Sequence, residues 1–130
     1  MRFVPYLIRT ALAGEPILCS SGTQIRDFLD TAVCGRALAQ LLASSVEGVV
    51  NIGAGETPPL SLAEIVEHIC AVCNCPHAPQ FGALPMKKDE PHFMVPDISR
   101  LRNEVKFTER QDTRHALSML VSANQSAQMV

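Results

Sequence analysis

The apolar positions of this chain follow a helical period over three long segments and change to a strand-like run between two of them. In residues 3–13 they fall at i, i+3, i+4, i+7 and i+8, which predicts a helix with one buried face. The same period predicts helices over residues 31–44 and 61–73. Between these two helices, three of the four residues 49–52 are β-branched and apolar, which favours a short strand. The alternation of helices and short strands is typical of an α/β protein.

Weaker patterns predict four further elements. They are short strands over residues 16–19 and 24–29, a short helix over residues 97–105 and a last helix over residues 112–123. The proline-rich residues 76–96 are predicted to form a long loop, with at most one short strand near Phe81. In the helix at residues 31–44, the positions expected to face inward are Val33, Ala37, Leu38, Leu41 and Leu42.

The predicted strand at residues 49–52 leads into a glycine turn and then into a helix N-terminus. Gly53 and Gly55 allow the turn to adopt positive φ or to let another backbone approach closely. Ser61 is the expected N-cap of the next helix, and Glu64 three residues later completes a capping box. Strand, turn and helix form half of a βα unit, a place where α/β proteins bind ligands. A tight turn without a ligand explains the two glycines equally, and the sequence alone favours that interpretation.

Composition and charge narrow the range of functions. The chain has 130 residues, the length of one domain, and 47% of them are hydrophobic, which is enough for a core. The formal net charge of −2 argues against a broad surface for nucleic acid or for anionic membranes. No apolar stretch is long enough to cross a membrane, and the N-terminal residues do not read as a secretion signal. Because the five cysteines are an odd number without such a signal, we expect reduced thiols in a cytoplasmic protein.

One cluster of cysteine and histidine has two interpretations. His68, Cys70, Cys73, Cys75 and His77 lie close together and offer more nitrogen and sulfur atoms than the four that zinc requires. Cys70, however, falls on the apolar face of the predicted helix, where free cysteine is commonly buried. The two separated ligand pairs of a structural zinc site are also missing. We therefore expect buried or incidental thiols and assign no metal site.

Four segments together carry a family resemblance. Residues 22–30 read Gly-Thr-Gln-Ile-Arg-Asp-Phe-Leu-Asp, and residues 48–56 read Gly-Val-Val-Asn-Ile-Gly-Ala-Gly-Glu. Residues 61–65 read Ser-Leu-Ala-Glu-Ile, and residues 96–102 read Pro-Asp-Ile-Ser-Arg-Leu-Arg. In this order and spacing, the segments resemble the C-terminal half of the NAD-dependent epimerase/dehydratase family. Its members are extended short-chain dehydrogenases that act on nucleotide sugars, and the likeness covers most of the chain.

The resemblance implies a fold class and a missing half. It implies an α/β lobe of about four helices and two to four short strands, the C-terminal part of an extended short-chain dehydrogenase fold. This lobe would occupy residues 1–121, and residues 122–130 would form a frayed tail. Family enzymes carry NAD or NADP on an N-terminal Rossmann half, and its glycine fingerprint is not found in this sequence. The catalytic Tyr-x-x-x-Lys pair is also missing, because Thr10 stands four residues after Tyr6, the only tyrosine.

We therefore expect a truncated, split or degenerate gene product, or a fragment. Such a chain binds no cofactor by itself, since NAD or NADP is implied only for a full-length family member. Whether it is an enzyme is left open, because hydride transfer requires that cofactor and a catalytic base.

The resemblance also assigns binding residues. Arg26 matches the family arginine that lies against the substrate pyrophosphate, and a guanidinium binds phosphate through two parallel hydrogen bonds. The alternative for Arg26 is an ion pair with Asp27 or Asp30. Lys87 stands near the family's second arginine, where it either holds the same diphosphate or remains a solvated loop lysine. The other two predicted substrate-binding residues are Asn51 and Gly53.

Three residues are assigned structural roles. Asp27 is expected to anchor neighbouring backbone amides, and Ser61 and Asp97 are expected to cap helices. Two other positions depart from the family pattern: Val33 stands where the family usually has an aspartate, and Lys106 stands where it often has glycine. Because Val33 cannot cap the helix at residues 31–44, Asp30 or Thr31 is expected to do so.

Three functions follow from these observations. The first is a nucleotide-sugar-binding lobe of an epimerase, dehydratase or reductase, inactive alone, whose partner is a separate Rossmann chain or a second copy. The second is a non-catalytic remnant or interaction module without a ligand, and the third is a small metal-binding protein. No nucleic-acid or membrane partner is expected. If residues 49–52 belong to a parallel sheet that is not part of this chain, they should expose apolar side chains and unpaired backbone.

Overall fold

The computed structural model describes residues 2–55 and 58–128, which contain five helices and two short strands. In chain order they are α1 (Phe3–Leu12), β1 (Ile25–Arg26), α2 (Thr31–Leu42), α3 (Leu62–Cys73), β2 (Phe93–Met94), α4 (Ser99–Asn103) and α5 (Thr113–Gln128). β1 and β2 pair in parallel, with Ile25 opposite Phe93 and Arg26 opposite Met94. The predicted α/β lobe is confirmed, and its five helices are the ones that the sequence pattern predicts, one more than the resemblance implied.

Three helices enclose the larger of two apolar cores. α1, α3 and α5 contact one another and bury their apolar faces between them. Each face follows the helical period of the sequence, and α3 buries Ile65, Val66, Ile69 and Cys70. The buried residues of this first core are Leu7, Ile8, Ala11, Ile17, Cys19, Leu60, Ile65, Val66, Ile69, Cys70, Leu117 and Val121.

The smaller core lies between α2 and α4. Its buried residues are Val33, Ala37, Leu101, Val105 and Phe107. The prediction that Leu38 and Leu42 face inward was wrong, because these side chains are 45% and 86% exposed. The helical period places them beside the buried stripe, but the second core is too narrow to cover them. α2 therefore presents two leucines one turn apart on an uncovered face.

Residues 49–52 do not form a strand, which corrects the prediction. Their side chains still alternate: Val49 is 83% exposed and Asn51 is exposed, whereas Val50 and Ile52 pack against the second core. A strand requires a neighbour that pairs with its amides, and no described segment pairs with this one. The segment thus has the alternating side chains of a strand but not the backbone hydrogen bonds that would join it to a neighbouring strand.

The other predicted strands are shorter than expected. Residues 16–19 contribute only a bridge between Leu18 and Gln80, and residues 24–29 contribute the two residues of β1. One short strand was predicted near Phe81, and the bridge between Leu18 and Gln80 lies beside that residue. The second strand of the structure, β2, forms later in the loop.

The last helix, α5, is longer than predicted. It extends to Gln128 and so runs through most of the expected tail, whose final two residues lie outside the described ranges. The proposed boundary at residue 121 stays a prediction. Within the described residues, no helix has the length and apolar character needed to cross a membrane.

Candidate functional site

Arg26 is held on β1 by the loop that precedes β2. Because β1 pairs with β2, the residues just before β2 lie beside the guanidinium. Its terminal nitrogens donate to the carbonyls of Ile25 (2.8 Å), His92 (3.3 Å) and Pro91 (2.6 Å) and to Glu90 Oε1 (3.2 Å). The ion-pair partner is therefore Glu90, and not Asp27 or Asp30 as considered from sequence. These four bonds hold the guanidinium in one orientation, with its side chain 13% exposed.

The structure brings Arg26 and Lys87 to the same place. Both line an open cavity of about 440 Å³ beside β1. The complete lining is Arg26, Lys87, Lys88, Asp89, Glu90, Pro91 and Met94. Three of these side chains are cationic and two are anionic, so the cavity can hold an anion once the carboxylates turn away.

A second, mostly apolar cavity of about 280 Å³ adjoins the first. Lys87 and Glu90 line both cavities, so the two spaces share one wall. Gln24 also lines the second cavity, and it is only 1% exposed. Its Nε2 donates to Ser20 Oγ (3.3 Å), but its Oε1 has no hydrogen-bond partner. An unpaired buried acceptor costs free energy, and a ligand with an N–H or O–H donor could satisfy it only if the Gln24 amide turns toward the cavity.

Sequence reasoning missed the roles of Gln24 and Glu90. Gln24 stands two residues before Arg26, so in an extended segment both side chains point to the same face, and this spacing was the available signal. Glu90 offered no comparable signal. Its place beside Arg26 depends on how the long loop folds back onto β1.

Asn51 and Gly53 lie elsewhere, and neither lines these two cavities. Asn51 Nδ2 donates to the carbonyl of Asp97 (3.0 Å). A Cβ added to Gly53 would come within 2.5 Å of Pro96 and 2.9 Å of the Asp27 carboxylate, so glycine is required by close packing. Their assignment to substrate binding stays a prediction. Gly55 continues the turn at φ +68°, and the adjoining Glu56 lies outside the described residues.

Asp27 joins β1 to the glycine turn. Its Oδ2 accepts a hydrogen bond from the amide of Ala54 (2.9 Å), far along the chain, whereas the sequence suggested amides beside it. This bond places the start of the turn next to β1. The neighbouring strand residue Arg26 is thereby fixed relative to both segments.

The two predicted caps differ in form. Ser61 and Glu64 make the expected capping box: the Ser61 hydroxyl accepts from the Glu64 amide, and the Glu64 carboxylate accepts from the Ser61 amide. The Ser61 amide, then its hydroxyl, lower the pKa of Glu64. Asp97 is not the N-cap of α4, which is Ile98. Asp97 instead accepts from the Ser99 hydroxyl and amide, which lower its pKa, in a turn just before that helix.

The side chains of the cysteine and histidine cluster do not surround a common point that could hold a metal ion. His68 Nε2 lies 2.8 Å from the carbonyl of Arg114 and 2.9 Å from Ser118 Oγ, both on α5. Cys70 belongs to the first core, and Cys73 and Cys75 pack against that core. In the described part of the chain, no three potential ligands lie close enough to hold a metal ion.

Comparisons with known proteins give structural matches only. Neither the models of protein families nor the curated proteins match this sequence.

Several solved structures match the fold closely. UDP-glucose 4-epimerase from Thermotoga maritima, with UDP-glucose, matches with a TM-score of 0.83 and 16% identity over 95% of this chain. UDP-N-acetylglucosamine 4-epimerase from Methanobrevibacter ruminantium, with UDP-N-acetylmuramic acid, has a TM-score of 0.83 and 23% identity over 97%. MoeE5, with UDP-glucuronic acid and NAD, has a TM-score of 0.77 and 26% identity over 97%.

The matches are partial for the solved proteins. This chain spans 39%, 40% and 42% of those three chains, respectively. The motifs that resemble the family lie in the order that its C-terminal half would require. The chain therefore has the fold of the C-terminal part of NAD-dependent nucleotide-sugar epimerases of the extended short-chain dehydrogenase type.

Proposed function

We propose that this chain is the nucleotide-sugar-binding lobe of an NAD- or NADP-dependent epimerase, dehydratase or reductase, without catalytic activity alone. The observation that carries the proposal is the cavity shared by Arg26 and Lys87, two cations that come from distant parts of the sequence. The fold supports it, since the matched solved structures contain UDP-sugars.

The diphosphate would lie in the cavity of Arg26 and Lys87. Glu90 presently accepts from Arg26 Nη2, so the carboxylate would have to move for phosphate oxygens to take its place. This exchange is feasible because the Glu90 side chain is 30% exposed and the ion pair is only partly buried. Lys87 would add a point charge without the fork of an arginine.

The nucleoside would occupy the adjoining apolar cavity. Its wall offers aromatic and aliphatic surface for a base, chiefly from Phe3, Tyr6, Leu18, Phe81 and Leu84. The free Oε1 of Gln24 would accept a hydrogen bond from an N–H of the base. Because Lys87 and Glu90 line both cavities, a nucleoside in one is continuous with a diphosphate in the other.

The redox chemistry would come from outside this sequence. Hydride transfer needs NAD or NADP and a positioned base, and the sequence carries neither the glycine fingerprint nor Tyr-x-x-x-Lys. We propose that a separate Rossmann chain, or a second copy of this chain, covers residues 49–52 and the exposed face of α2. The unpaired strand pattern of that segment supports this arrangement. The free cysteines fit a reducing cytoplasm.

The test is titration of the isolated chain with UDP, GDP, CDP and dTDP, followed by proton–nitrogen correlation spectra. We expect one nucleotide to shift the resonances near Arg26 and Gln24. Arg26→Gln should weaken its affinity by about tenfold or more, because a charge-assisted hydrogen bond contributes about 1.5–3 kcal/mol. The matched control is Arg36→Gln, since Arg36 pairs with Glu109 and lines neither cavity. A dispersed spectrum that no nucleotide alters would refute the proposal.

One observation favours an interaction module without a ligand. Both terminal nitrogens of Arg26 already donate twice within the protein, as they would if its role were only to fix the loop to β1. In that case Arg26→Gln would destabilise the fold and change no nucleotide affinity. The same titration, combined with thermal unfolding of the variant, separates the two functions.

A further inference from the structure

The C-terminal end of α3 forms a Schellman motif built largely from cysteine. Asn74 adopts the left-handed conformation, with φ 53° and ψ 50°. Its amide donates to the carbonyl of Ala71 (3.2 Å), and the amide of Cys75 donates to the carbonyl of Cys70 (3.0 Å). These are the two hydrogen bonds that define the motif.

The motif places two particular side chains against each other. In a Schellman motif the residue after the left-handed position packs onto the residue five before it, normally through an apolar contact. Here those residues are Cys75 and Cys70. Cys70 belongs to the first core and Cys75 packs against that core, so both thiols are on the inner side of the helix end. Burial and then the neighbouring Cys75 thiol raise the pKa of Cys70 to about 12.

A disulfide needs close Cα atoms and Cβ atoms that face each other. The hydrogen bond from the Cys75 amide to the Cys70 carbonyl (3.0 Å) brings the two backbones together, and both side chains pack in or against the first core. We propose that Cys70 and Cys75 are a dithiol that forms a reversible intramolecular disulfide with a low-molecular-weight disulfide as the oxidant. No such role is needed for binding a nucleotide sugar, so this inference is independent of the proposed function.

The chemistry is a pair of thiol–disulfide exchanges. The Cys75 thiolate attacks glutathione disulfide, forms a mixed disulfide and releases one glutathione thiolate. Cys70 then loses its proton and attacks the Cys75 sulfur, which forms the Cys70–Cys75 bond and releases the second glutathione. Two protein thiols are oxidised and one glutathione disulfide is reduced to two thiols, so atoms and electrons balance. Cys75 acts first because it is more exposed than Cys70.

The crosslink would fasten the end of α3 to the start of the following loop. That loop continues to Lys87 and to the residues that hold Arg26. The attachment of the start of the loop to α3 would therefore depend on whether Cys70 and Cys75 are oxidised or reduced. Cys73, Cys19 and Cys34 are the other free thiols. Cys19 is buried in the same core as Cys70, but the motif packs only Cys75 onto Cys70.

The test counts free thiols by intact mass after the chain is equilibrated with increasing ratios of glutathione disulfide to glutathione and then alkylated. The native chain should lose two alkylatable thiols together, without a glutathione adduct. Cys73→Ser and Cys34→Ser should lose the same pair over the same range. Cys75→Ser should form no intramolecular disulfide in that range, and circular dichroism should show it folded.

A denatured sample provides the second comparison. If the fold brings the thiols together, the native chain should form the disulfide at a glutathione disulfide ratio at least about tenfold lower than the chain in urea, because proximity raises the effective concentration. Three results would each overturn the proposal. They are native and urea-denatured chains that oxidise at the same glutathione disulfide ratio, a Cys75→Ser chain that still loses two thiols, and a native chain that keeps five free thiols at every ratio. Because the comparison uses the unmodified sequence, it stands even if a serine variant fails to fold.

Discussion

At the scale of single residues, the proposed binding depends on Arg26, whose guanidinium is paired with Glu90. The guanidinium can serve a phosphate only after it gives up the carboxylate that now lies 3.2 Å from Nη2. Glu90 therefore has two opposite effects. It orients Arg26, and its negative charge would oppose the entry of an anion.

Glu90→Gln should bind the preferred nucleotide up to about fivefold more tightly, because removing a partly exposed ion pair changes the free energy by about 0.2–1 kcal/mol. Calorimetric titration would measure this. Asp89→Asn is the matched control, since Asp89 lines the same cavity without contacting Arg26. If both variants gain the same affinity, the net charge of the cavity sets the affinity, and the ion pair between Arg26 and Glu90 does not.

Lys106 has a backbone conformation that strains a lysine and that glycine would adopt without strain. It adopts φ +63°, a left-handed conformation that favours glycine, and it stands where the family often has glycine. Lys106→Gly should raise the free energy of unfolding by about 0.5–1 kcal/mol, since relief of strain exceeds the added entropy of the unfolded chain. Urea unfolding would measure the gain. Lys106→Ala keeps the strain, so a similar gain there would contradict this explanation.

At the scale of elements, the capping box of α3 couples helix stability to pH. The Ser61 amide, then its hydroxyl, and with smaller effect Arg114 lower the pKa of Glu64 below its ordinary 4.5. Because the folded pKa is the lower one, the stabilising charge is fully present above about pH 4.5 and is lost as pH falls through the folded pKa.

Glu64→Gln should therefore be less stable than the wild type near neutral pH, and the difference should shrink as pH falls from 6 to 3. Glutamine retains the capping hydrogen bond, so the comparison isolates the charge. Thermal unfolding across that pH range would measure it. Ser61→Ala removes the hydroxyl, which also donates to the Glu64 carboxylate, and should cost about 0.5–2 kcal/mol near neutral pH and less once Glu64 is protonated. A gap between Glu64→Gln and the wild type that stays constant with pH would contradict the ionic explanation.

At the scale of the whole molecule, the lobe leaves apolar side chains uncovered on α2 and at Val49. Leu38 and Leu42 on α2, together with Val49, are exposed, and residues 49–52 are extended without a pairing strand. The uncovered face of α2 and a segment that pairs with no described strand favour association with another chain. The second core beneath that face is also the smaller of the two.

We expect the isolated chain to self-associate through this face in a concentration-dependent manner. Leu42→Lys should suppress the association and leave the free energy of unfolding within about 0.5 kcal/mol, because a side chain this exposed contributes little to the monomer. Sedimentation velocity and urea unfolding would measure the two effects. Met119→Lys on α5 is the control, since Met119 is also exposed but belongs to a different helix. A wild-type chain that stays monomeric at all concentrations would exclude this role.

The sequence by itself determined the helices and the N-caps of α2 and α3. Helical period and capping depend on residues within a few positions of each other, so α1, α2, α3, the Ser61–Glu64 box and the substitute cap at Asp30 could all be predicted locally. The family resemblance placed the cationic pair in one site.

Only the tertiary structure decided the rest, because it depends on contacts between distant segments. Strand pairing requires a neighbour, so residues 49–52 kept the alternation of a strand but formed none. The partner of Arg26 proved to be Glu90 because the loop returns to β1, and Gln24 became a buried unpaired acceptor because a cavity closed around it. The exposure of Leu42 depends on which helix packs beside α2, and no pattern within α2 contains that information.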